Sequence, residues 1–159
     1  MRVASGLVLL LFVTALSSGQ TKREPTPHRD LSGTWKLNRE KSALRVFAET
    51  APEMVVIAQS EKQIEFKRQI RGRLSSVTYL LDGNEQVVST FDHHERLARA
   101  HWSKGSLIIE ERTVARFHDM PDVEDAEKVT MRWILSADGK ALTERNSEQS
   151  TTSVFELQE

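Results

Sequence analysis

From Asp30 to the end of the chain, short apolar runs alternate with turn residues. The alternation is clearest over residues 63–70, where Ile64, Phe66 and Ile70 share one face and Gln, Glu and Lys side chains share the other. An apolar residue at every second position is typical of a half-buried β-strand. The strands predicted in this way cover residues 33–37, 54–58, 63–70, 74–81, 87–91, 97–102, 107–117, 129–135, 141–145 and 153–157.

The connections between the predicted strands are short. Asp82-Gly83-Asn84 is the strongest hairpin signal, because an Asp-Gly pair suits the positive φ angles of a tight turn. Successive hairpins with few helical windows predict an all-β fold, an antiparallel up-and-down barrel of about eight to ten strands. Closure would also remove the edge strands that an exported protein must otherwise protect.

One segment has a helical pattern. Asn38 is a candidate N-cap for a short helix over residues 39–47, in which Leu44 and Phe47 lie three positions apart on one face. An ordered loop is an equally good interpretation of the same residues. Either element would follow the first strand as a lid or plug.

The start of the chain does not belong to the barrel. Arg2, an unbroken apolar run over residues 7–13 and the small residues that follow it predict a signal peptide over residues 1–19. The apolar run is shorter than the roughly 20 residues that span a bilayer. An uncleaved N-terminal anchor is the alternative, and cleavage after Ser17 or Gly19 fits equally well.

Residues 20–29 are polar, contain Pro25 and Pro27, and have no hydrophobic period. This composition predicts a flexible tether. The barrel domain is then residues 30–159. Its predicted location is secreted or periplasmic, and it would not span a membrane once processed.

Composition narrows the class of function. The 22 Lys and Arg residues are balanced by 23 Asp and Glu residues, for a formal charge of −1. This balance argues against nucleic-acid binding, which needs a concentrated positive surface. The chain has no cysteine, which excludes disulfides, thiol nucleophiles, Cys zinc sites and lipidation of an N-terminal Cys.

The most suggestive chemical cluster is Asp92-His93-His94-Glu95, with His101 nearby. Imidazole suits zinc or copper, but neighbouring residues in a strand point to opposite faces and cannot share one site. A polar loop with exposed histidines is therefore favoured over a metal site. No G-x-S-x-G motif or cysteine accompanies the histidines, so we predict no catalytic residues, no cofactor and no enzymatic activity.

The residues Leu31-Ser32-Gly33-Thr34-Trp35-Lys36-Leu37 place a G-x-W motif at the first predicted strand. Together with the signal peptide and the strand pattern, this motif resembles the lipocalin-like proteins of the calycin group. The segment W-I-L-S-A-D-G-K-A-L-T, residues 133–143, is similar to the penultimate hairpin of small exported bacterial lipocalin-like domains. The resemblance implies a barrel with a cavity for small apolar molecules, and an Arg packed over Trp35, for which Arg145 is the best candidate.

The G-x-W residues also have a physical interpretation of their own. Gly33 has no Cβ, so the backbone can bend there or approach another strand closely. Trp35 points to the same side and would fill the closed end of a barrel, where its indole N–H needs an acceptor. We therefore expect both residues to be structural.

Three predicted strands carry a charged residue on their apolar face, namely Arg68, Glu111 and Glu144. A buried charge must be paired or must meet a ligand. Arg68 is expected either to anchor the carboxylate of a fatty-acid-like molecule or to pair with Glu111 or Glu144 or lie at the solvated rim. The predicted apolar wall is Met54, Val56, Phe66, Leu80, Trp102, Leu107, Ile109, Met131, Trp133 and Leu142. The residues predicted to bind ligand are Arg68, Phe66, Trp102, Ile109, Glu111, Met131 and Trp133.

These patterns lead to two hypotheses. The first is an exported, non-enzymatic, lipocalin-like barrel that carries or sequesters a small hydrophobic molecule. The second is an envelope interaction or inhibitor module whose barrel is filled and holds no ligand. An open cavity would favour the first, and a packed interior with an exposed apolar patch would favour the second.

Overall fold

The structure, a computed structural model, describes residues 29–115 and 123–159. The predicted signal peptide and most of the predicted tether lie outside the described residues. The strands are β1 (Gly33–Leu37), β2 (Met54–Gln59), β3 (Gln63–Ile70), β4 (Arg73–Leu80), β5 (Glu85–Phe91), β6 (His94–Ser103), β7 (Ser106–Ala115), β8 (Val123–Leu135), β9 (Ala141–Asn146) and β10 (Thr151–Leu157).

All neighbouring strands are antiparallel and form one sheet in the order β4-β3-β2-β1-β10-β9-β8-β7-β6-β5. The sheet curls into a nearly closed barrel, which confirms the predicted all-β antiparallel barrel. We call the end where β1 begins the closed end. The open end is the one that carries the β3–β4, β5–β6 and β9–β10 turns.

The predicted Asp82-Gly83 hairpin is wrong. Gly83 does have a positive φ of 74°, but β4 and β5 are the two outermost strands of the sheet and do not pair with each other. The Gly83 N–H instead donates to the carbonyl of Ala100 on β6, at 3.1 Å. The Asp-Gly pair specifies only the local backbone angles of the turn. Strand β4 pairs with β3 and strand β5 pairs with β6, so the two strands do not pair across the turn.

Of the two interpretations of residues 39–47, the ordered loop is correct and the helix is wrong, since the segment contains a single 3-10 turn, Arg45–Phe47. Ala43 forms an isolated antiparallel bridge with Thr152 of β10, which requires extended backbone where the helix would have continued. Asn38 caps only a turn, since its Oδ1 accepts from the N–H of Lys41 at 3.0 Å. The loop packs Leu44 onto the core at the open end.

On two strands, β2 and β4, the side chains that face the interior differ from those that the sequence predicts. On β2 the buried residues are Val55 and Ile57 rather than Met54 and Val56. The run M-V-V-I-A is apolar throughout, so alternation gives it no phase, and pairing of Trp35 with Val55 sets the face. On β4, Tyr79 is buried and Leu80 is 41% exposed.

Strand β8 begins at Val123, six residues before the predicted start. The acidic segment before residue 129 has no apolar alternation, yet its backbone pairs with the open-end half of β7. The pairing register shifts between Glu111 and Thr113. Backbone pairing between strands can therefore extend through residues that show no apolar alternation, which is why the predicted start of β8 is too late.

The interior near the closed end is filled by aromatic side chains, which we call the aromatic cluster: Phe66, Tyr79, Trp133 and Phe155. Ring centroids are 4.8 Å apart for Phe66 and Trp133, 5.9 Å for Phe66 and Tyr79, and 6.0 Å for Trp133 and Phe155. All four residues are buried. Burying a large apolar side chain stabilises the fold by about 2 kcal/mol, so this cluster is a main source of stability.

Among the described residues, no helix is long and apolar enough to cross a membrane.

Candidate functional site

Toward the open end, the barrel interior becomes charged. Arg68 on β3, Arg96 on β6, Glu111 on β7 and Glu144 on β9 occupy the positions whose neighbours two residues away are core residues. We call these four side chains, with the Tyr79 hydroxyl, the charged layer. It lies directly against the aromatic cluster, because Tyr79 belongs to both.

Arg68 lies between a carboxylate and two aromatic rings. Its Nη2 is 3.6 Å from Glu144 Oε1 and 3.8 Å from the sulfur of Met131. Its guanidinium carbon lies 5.5 Å from the ring centroid of Phe66 and 5.8 Å from that of Trp133, within cation–π range. The expected pairing of Arg68 with a carboxylate is thus present, with Glu144, at a distance longer than a good hydrogen bond.

Glu111 is held by a different pair of groups. The Tyr79 hydroxyl donates to Glu111 Oε1 at 2.6 Å. On the other side, Arg96 Nε is 4.0 Å from Glu111 Oε2. Both ion pairs of the charged layer are therefore loose, and only the tyrosine makes a short contact.

Burial and charge shift the pKa values of this layer. Burial raises the pKa of Glu144, and the opposing effect of Arg68 only partly offsets it. Burial raises the pKa of Tyr79 strongly, so its hydroxyl stays protonated and remains a donor. For Arg68, burial disfavours the charge, but Glu144, Tyr79 and Glu111 together raise its pKa. The guanidinium therefore stays charged.

Three N–H groups of this region are buried without an acceptor among the described residues: Nε of Arg68, Nε of Arg96 and Nε1 of Trp133. Each of these groups can only donate. A buried donor that is left unsatisfied costs about 1–3 kcal/mol. The carboxylates of Glu111 and Glu144 lie too far from these donors to accept from them, so the donors stay unsatisfied although the formal charges of the layer balance.

Two cavities reach this layer from the open end. One, of about 450 Å³, is lined by Arg96 and Glu111 together with Phe91, His94, Thr113 and Val129. The other, of about 140 Å³, holds Arg68, Met131 and Glu144 beneath Leu44 and Phe47 of the loop after β1. The larger one is an open cleft at the mouth of the barrel, and its lining also includes Arg112 and Glu148.

Five of the seven predicted ligand residues are brought together here: Arg68, Phe66, Glu111, Met131 and Trp133. Ile109 is fully buried in the core, nearer the closed end than Glu111. Trp102 lies apart from the charged layer, beside a closed-end surface cavity shared with Asp30 and Gln59. Alternation on single strands therefore groups five of the predicted residues at the charged layer and its aromatic neighbours, whereas Trp102 lies at the other end of the barrel.

Two members of the charged layer were missed. Arg96 shares its face of β6 with Ala98 and Ala100, and these small residues were the available signal. The predicted wall residue Trp102 lies on this same face, but Leu97 on the opposite face is also buried, so β6 has no clear apolar alternation. The sequence does not indicate an inward Tyr79, because the predicted apolar wall places Leu80 on the interior face of the same strand.

The G-x-W residues lie as expected at the closed end. Gly33 has a φ of +146°, and an added Cβ would meet Leu157 Cδ1 at 2.9 Å. Trp35 is buried, and its indole N–H donates to the carbonyl of Leu31 at 3.0 Å. Arg145 is exposed, on the opposite face of β9 from Glu144. The expected packing of Arg145 over Trp35 is therefore absent.

The histidine cluster is divided by the β5–β6 turn. Asp92 and His93 form the turn, with a φ of 48° at Asp92, and His94 begins β6. The His94 ring stacks on Phe91 with centroids 5.5 Å apart. In the part of the chain that the structure describes, no three His, Cys, Asp or Glu side chains are grouped so that they could hold a metal ion.

No protein-family model matches the chain, and no curated protein is significantly similar to it. The barrel is compatible with a lipocalin-like fold. The charged layer and its two cavities therefore carry the argument about function.

Proposed function

We propose that the protein is an exported, non-enzymatic, lipocalin-like binding protein. In this proposal it carries or sequesters a small hydrophobic molecule whose polar head group accepts hydrogen bonds from the charged layer. The predicted signal peptide supports a secreted or periplasmic location. The resemblance of the G-x-W segment to lipocalin-like proteins supports the class of ligand.

The observation that carries the proposal is the group of buried donors that have no acceptor within hydrogen-bond distance. Nε of Arg68, Nε of Arg96 and Nε1 of Trp133 lack acceptors, while the ion pairs beside them are 3.6 and 4.0 Å long. A carboxylate supplies several acceptor sites and suits the fork of a guanidinium. A ligand that bears a carboxylate would therefore satisfy what the protein leaves unpaired.

The apolar part of such a ligand would lie toward the open end, because the aromatic cluster fills the interior below the charged layer. Phe91 and Val129 line the larger cavity and offer apolar surface there. The ligand would then be bound at the mouth of the barrel, with its head group inward.

The filled closed end favours a second candidate, an envelope interaction or inhibitor module that needs no ligand. The two candidates differ in whether the buried donors of the charged layer ever meet an acceptor from outside. A ligand experiment therefore separates them.

The first experiment is native mass spectrometry of the protein purified from its own host. A co-purified acidic lipid or pigment supports the binding protein. A bare mass, together with a failure to bind any of the synthetic ligands below, would overturn it and favour the interaction module.

The second experiment compares three ligands with the same twelve-carbon chain: dodecanoate, dodecanol and dodecyltrimethylammonium. Isothermal titration calorimetry measures the affinity for each ligand. Dodecanoate is expected to bind at least ten times more tightly than the other two, since only its head group is an anionic acceptor. Equal binding of all three would contradict the proposed head-group site.

A pair of variants tests the site itself. The double variant Arg68→Met/Glu144→Gln removes both members of the ion pair, so neither is left as an unpaired charge. It is expected to lose the preference for dodecanoate. Lys67→Met is the matched control, because Lys67 is the neighbouring cation on the outer face and its side chain is 56% exposed. A preference unchanged in the double variant would exclude Arg68 as the anchor.

A further inference from the structure

Glu144 is the least supported carboxylate of the charged layer. It is 9% exposed, and Arg68 Nη2 lies 3.6 Å from its Oε1. Among the described residues, no group donates a hydrogen bond to Glu144, whereas Glu111 accepts one from the Tyr79 hydroxyl at 2.6 Å. Hydrogen bonds to a carboxylate favour its charged form, and burial favours its neutral form. Of the two carboxylates, Glu144 is therefore the one more ready to take up a proton.

The side chains next to Glu144 on the sheet offer it no charge. Its partners in register are Trp133 on β8 and Ser153 on β10. The loop after β1 covers Glu144 together with Arg68, and the small cavity beneath this loop is lined by no other titratable side chain. Arg68 is thus the group on which the charge of Glu144 mainly depends.

The charged layer as a whole is neutral without a ligand. Its titratable groups come from five strands: Arg68 on β3, Tyr79 on β4, Arg96 on β6, Glu111 on β7 and Glu144 on β9. The two cations balance the two carboxylates, and the Tyr79 hydroxyl stays neutral because burial raises its pKa strongly. An anionic head group would add one negative charge, and an unpaired charge in a buried site is costly. A proton taken up from solvent would restore neutrality.

The head group and Glu144 would also compete for one guanidinium. Nε of Arg68 is buried without an acceptor, and Nη2 of the same side chain faces Glu144. A carboxylate that binds to this guanidinium therefore lies close to the carboxylate of Glu144. Two carboxylates that share a site repel each other, so that one of them becomes protonated.

We propose that Glu144 takes up one proton from solvent when an anionic head group binds to Arg68. The inference rests on the proposed function and adds to it a coupling between ligand binding and pH. Burial already raises the pKa of Glu144 in the free protein, and the negative head group raises it further. Because binding consumes a proton between these two pKa values, the affinity falls by up to about tenfold per pH unit in that interval. The ligand is held at lower pH and released at higher pH.

Isothermal titration calorimetry with dodecanoate counts the protons directly. At each pH from about 6 to 9, the titration is repeated in two buffers that differ in ionisation enthalpy, and the difference in heat gives the number of protons taken up. The wild-type chain is expected to take up about one proton at the maximum of this curve. The dissociation constant is expected to rise with pH over the same range.

Three variants identify the group that takes up the proton. Glu144→Gln is expected to take up none, because the added head group then only balances the charge of Arg68, and its affinity is expected to change little with pH. The matched control is Glu156→Gln, since Glu156 is paired with Lys41 outside the barrel and its side chain is 45% exposed. Variant His94→Gln removes the histidine that lines the larger cleft. Both Glu156→Gln and His94→Gln are expected to keep the uptake.

The outcomes separate this inference from the proposed function. Dodecanoate that binds with an uptake below about 0.2 protons at every pH would overturn the inference alone. An uptake that persists in Glu144→Gln, or is lost in His94→Gln, would overturn the assignment to Glu144. No binding at any pH would overturn the proposed function and the inference with it.

If Glu144→Gln does not fold, the carbon-13 signal of the Glu144 side-chain carboxyl in the wild-type chain decides the result. On addition of dodecanoate, this signal should move to the position of a protonated carboxyl. A signal that keeps the position of a carboxylate while dodecanoate binds would contradict the inference.

Discussion

In both halves of the barrel interior, alternate residues of each strand face inward. The two halves differ in how fully the polar groups of these residues are paired. At the closed end, the aromatic cluster packs ring against ring, and the Trp35 N–H has its acceptor at Leu31. At the open end, two loose ion pairs and the unpaired Nε groups of Arg68 and Arg96 occupy equivalent inward positions, and at the boundary Trp133 Nε1 also lacks an acceptor. Alternation therefore determines which side chains face inward, whereas unmet hydrogen-bonding capacity indicates where a ligand would be needed.

The largest expected effect is loss of packing in the closed half. Phe155→Ala removes a fully buried ring stacked on Trp133 and should lower the free energy of unfolding by about 4 kcal/mol. Phe91→Ala is the matched control at the open end, where Phe91 is 50% exposed, and should cost less than about 1 kcal/mol. Urea unfolding measures both. Equal losses would mean that the two halves do not differ in packing.

The next effect tests the charged layer. Arg68→Met leaves Glu144 buried without its cation and should lower the free energy of unfolding by roughly 3 kcal/mol. The double variant Arg68→Met/Glu144→Gln should recover most of that loss, because no charge is left unpaired. If the double variant is less stable than Arg68→Met, the two side chains are not coupled in the way their geometry indicates.

Gly33→Ala examines the close backbone approach at the closed end. Both the positive φ and the contact of the new Cβ with Leu157 oppose the substitution, so the expected loss is about 2 kcal/mol. Gly139→Ala is the control, since its φ of +74° is also unfavourable but no atom lies within 4 Å of the added Cβ. A loss at Gly139 as large as that at Gly33 would show that the backbone angle alone matters.

The smallest effect is a difference in pH dependence between an inner and an outer glutamate. Burial raises the pKa of Glu144 above its ordinary value of 4.5. The unfolded chain therefore releases this proton first, and the contribution of Glu144 to stability falls as pH rises from 4.5 toward the raised value. For Glu85, a hydrogen bond from Arg112 lowers the pKa. Its contribution is present above 4.5 and is lost as pH falls through the lowered value.

The free energies of unfolding of Glu144→Gln and Glu85→Gln, measured across this pH range, show whether each contribution rises or falls with pH. Relative to the wild type, Glu144→Gln should gain stability as pH rises, and Glu85→Gln should lose up to about 1 kcal/mol. If the stability difference from the wild type changes with pH in the same direction for both variants, Glu144 is not buried in the charged layer as described.

Strands with mixed polar and apolar residues were predictable in both position and phase. On β3, the polar residues between Ile64 and Phe66 fixed the inward face, and Arg68 followed from it. The uniformly apolar β2 has no alternation from which its inward face could be inferred. On β6, Leu97 on one face and Ala98 and Ala100 on the other are all buried, so alternation did not identify Arg96. The partners of β4 and β5 could not be inferred either, because the Asp82-Gly83 turn has local hairpin chemistry but joins the two outermost strands.

Nuclear magnetic resonance of side-chain N–H groups tests the central claim most directly. On addition of dodecanoate, the Nε–H signals of Arg68 and Arg96 and the Nε1–H signal of Trp133 should shift as they gain an acceptor. The Nε1–H signal of Trp35 should not move, since it already donates to the carbonyl of Leu31. If the Arg68, Arg96 and Trp133 signals stay in place while dodecanoate binds, the charged layer is not the ligand site.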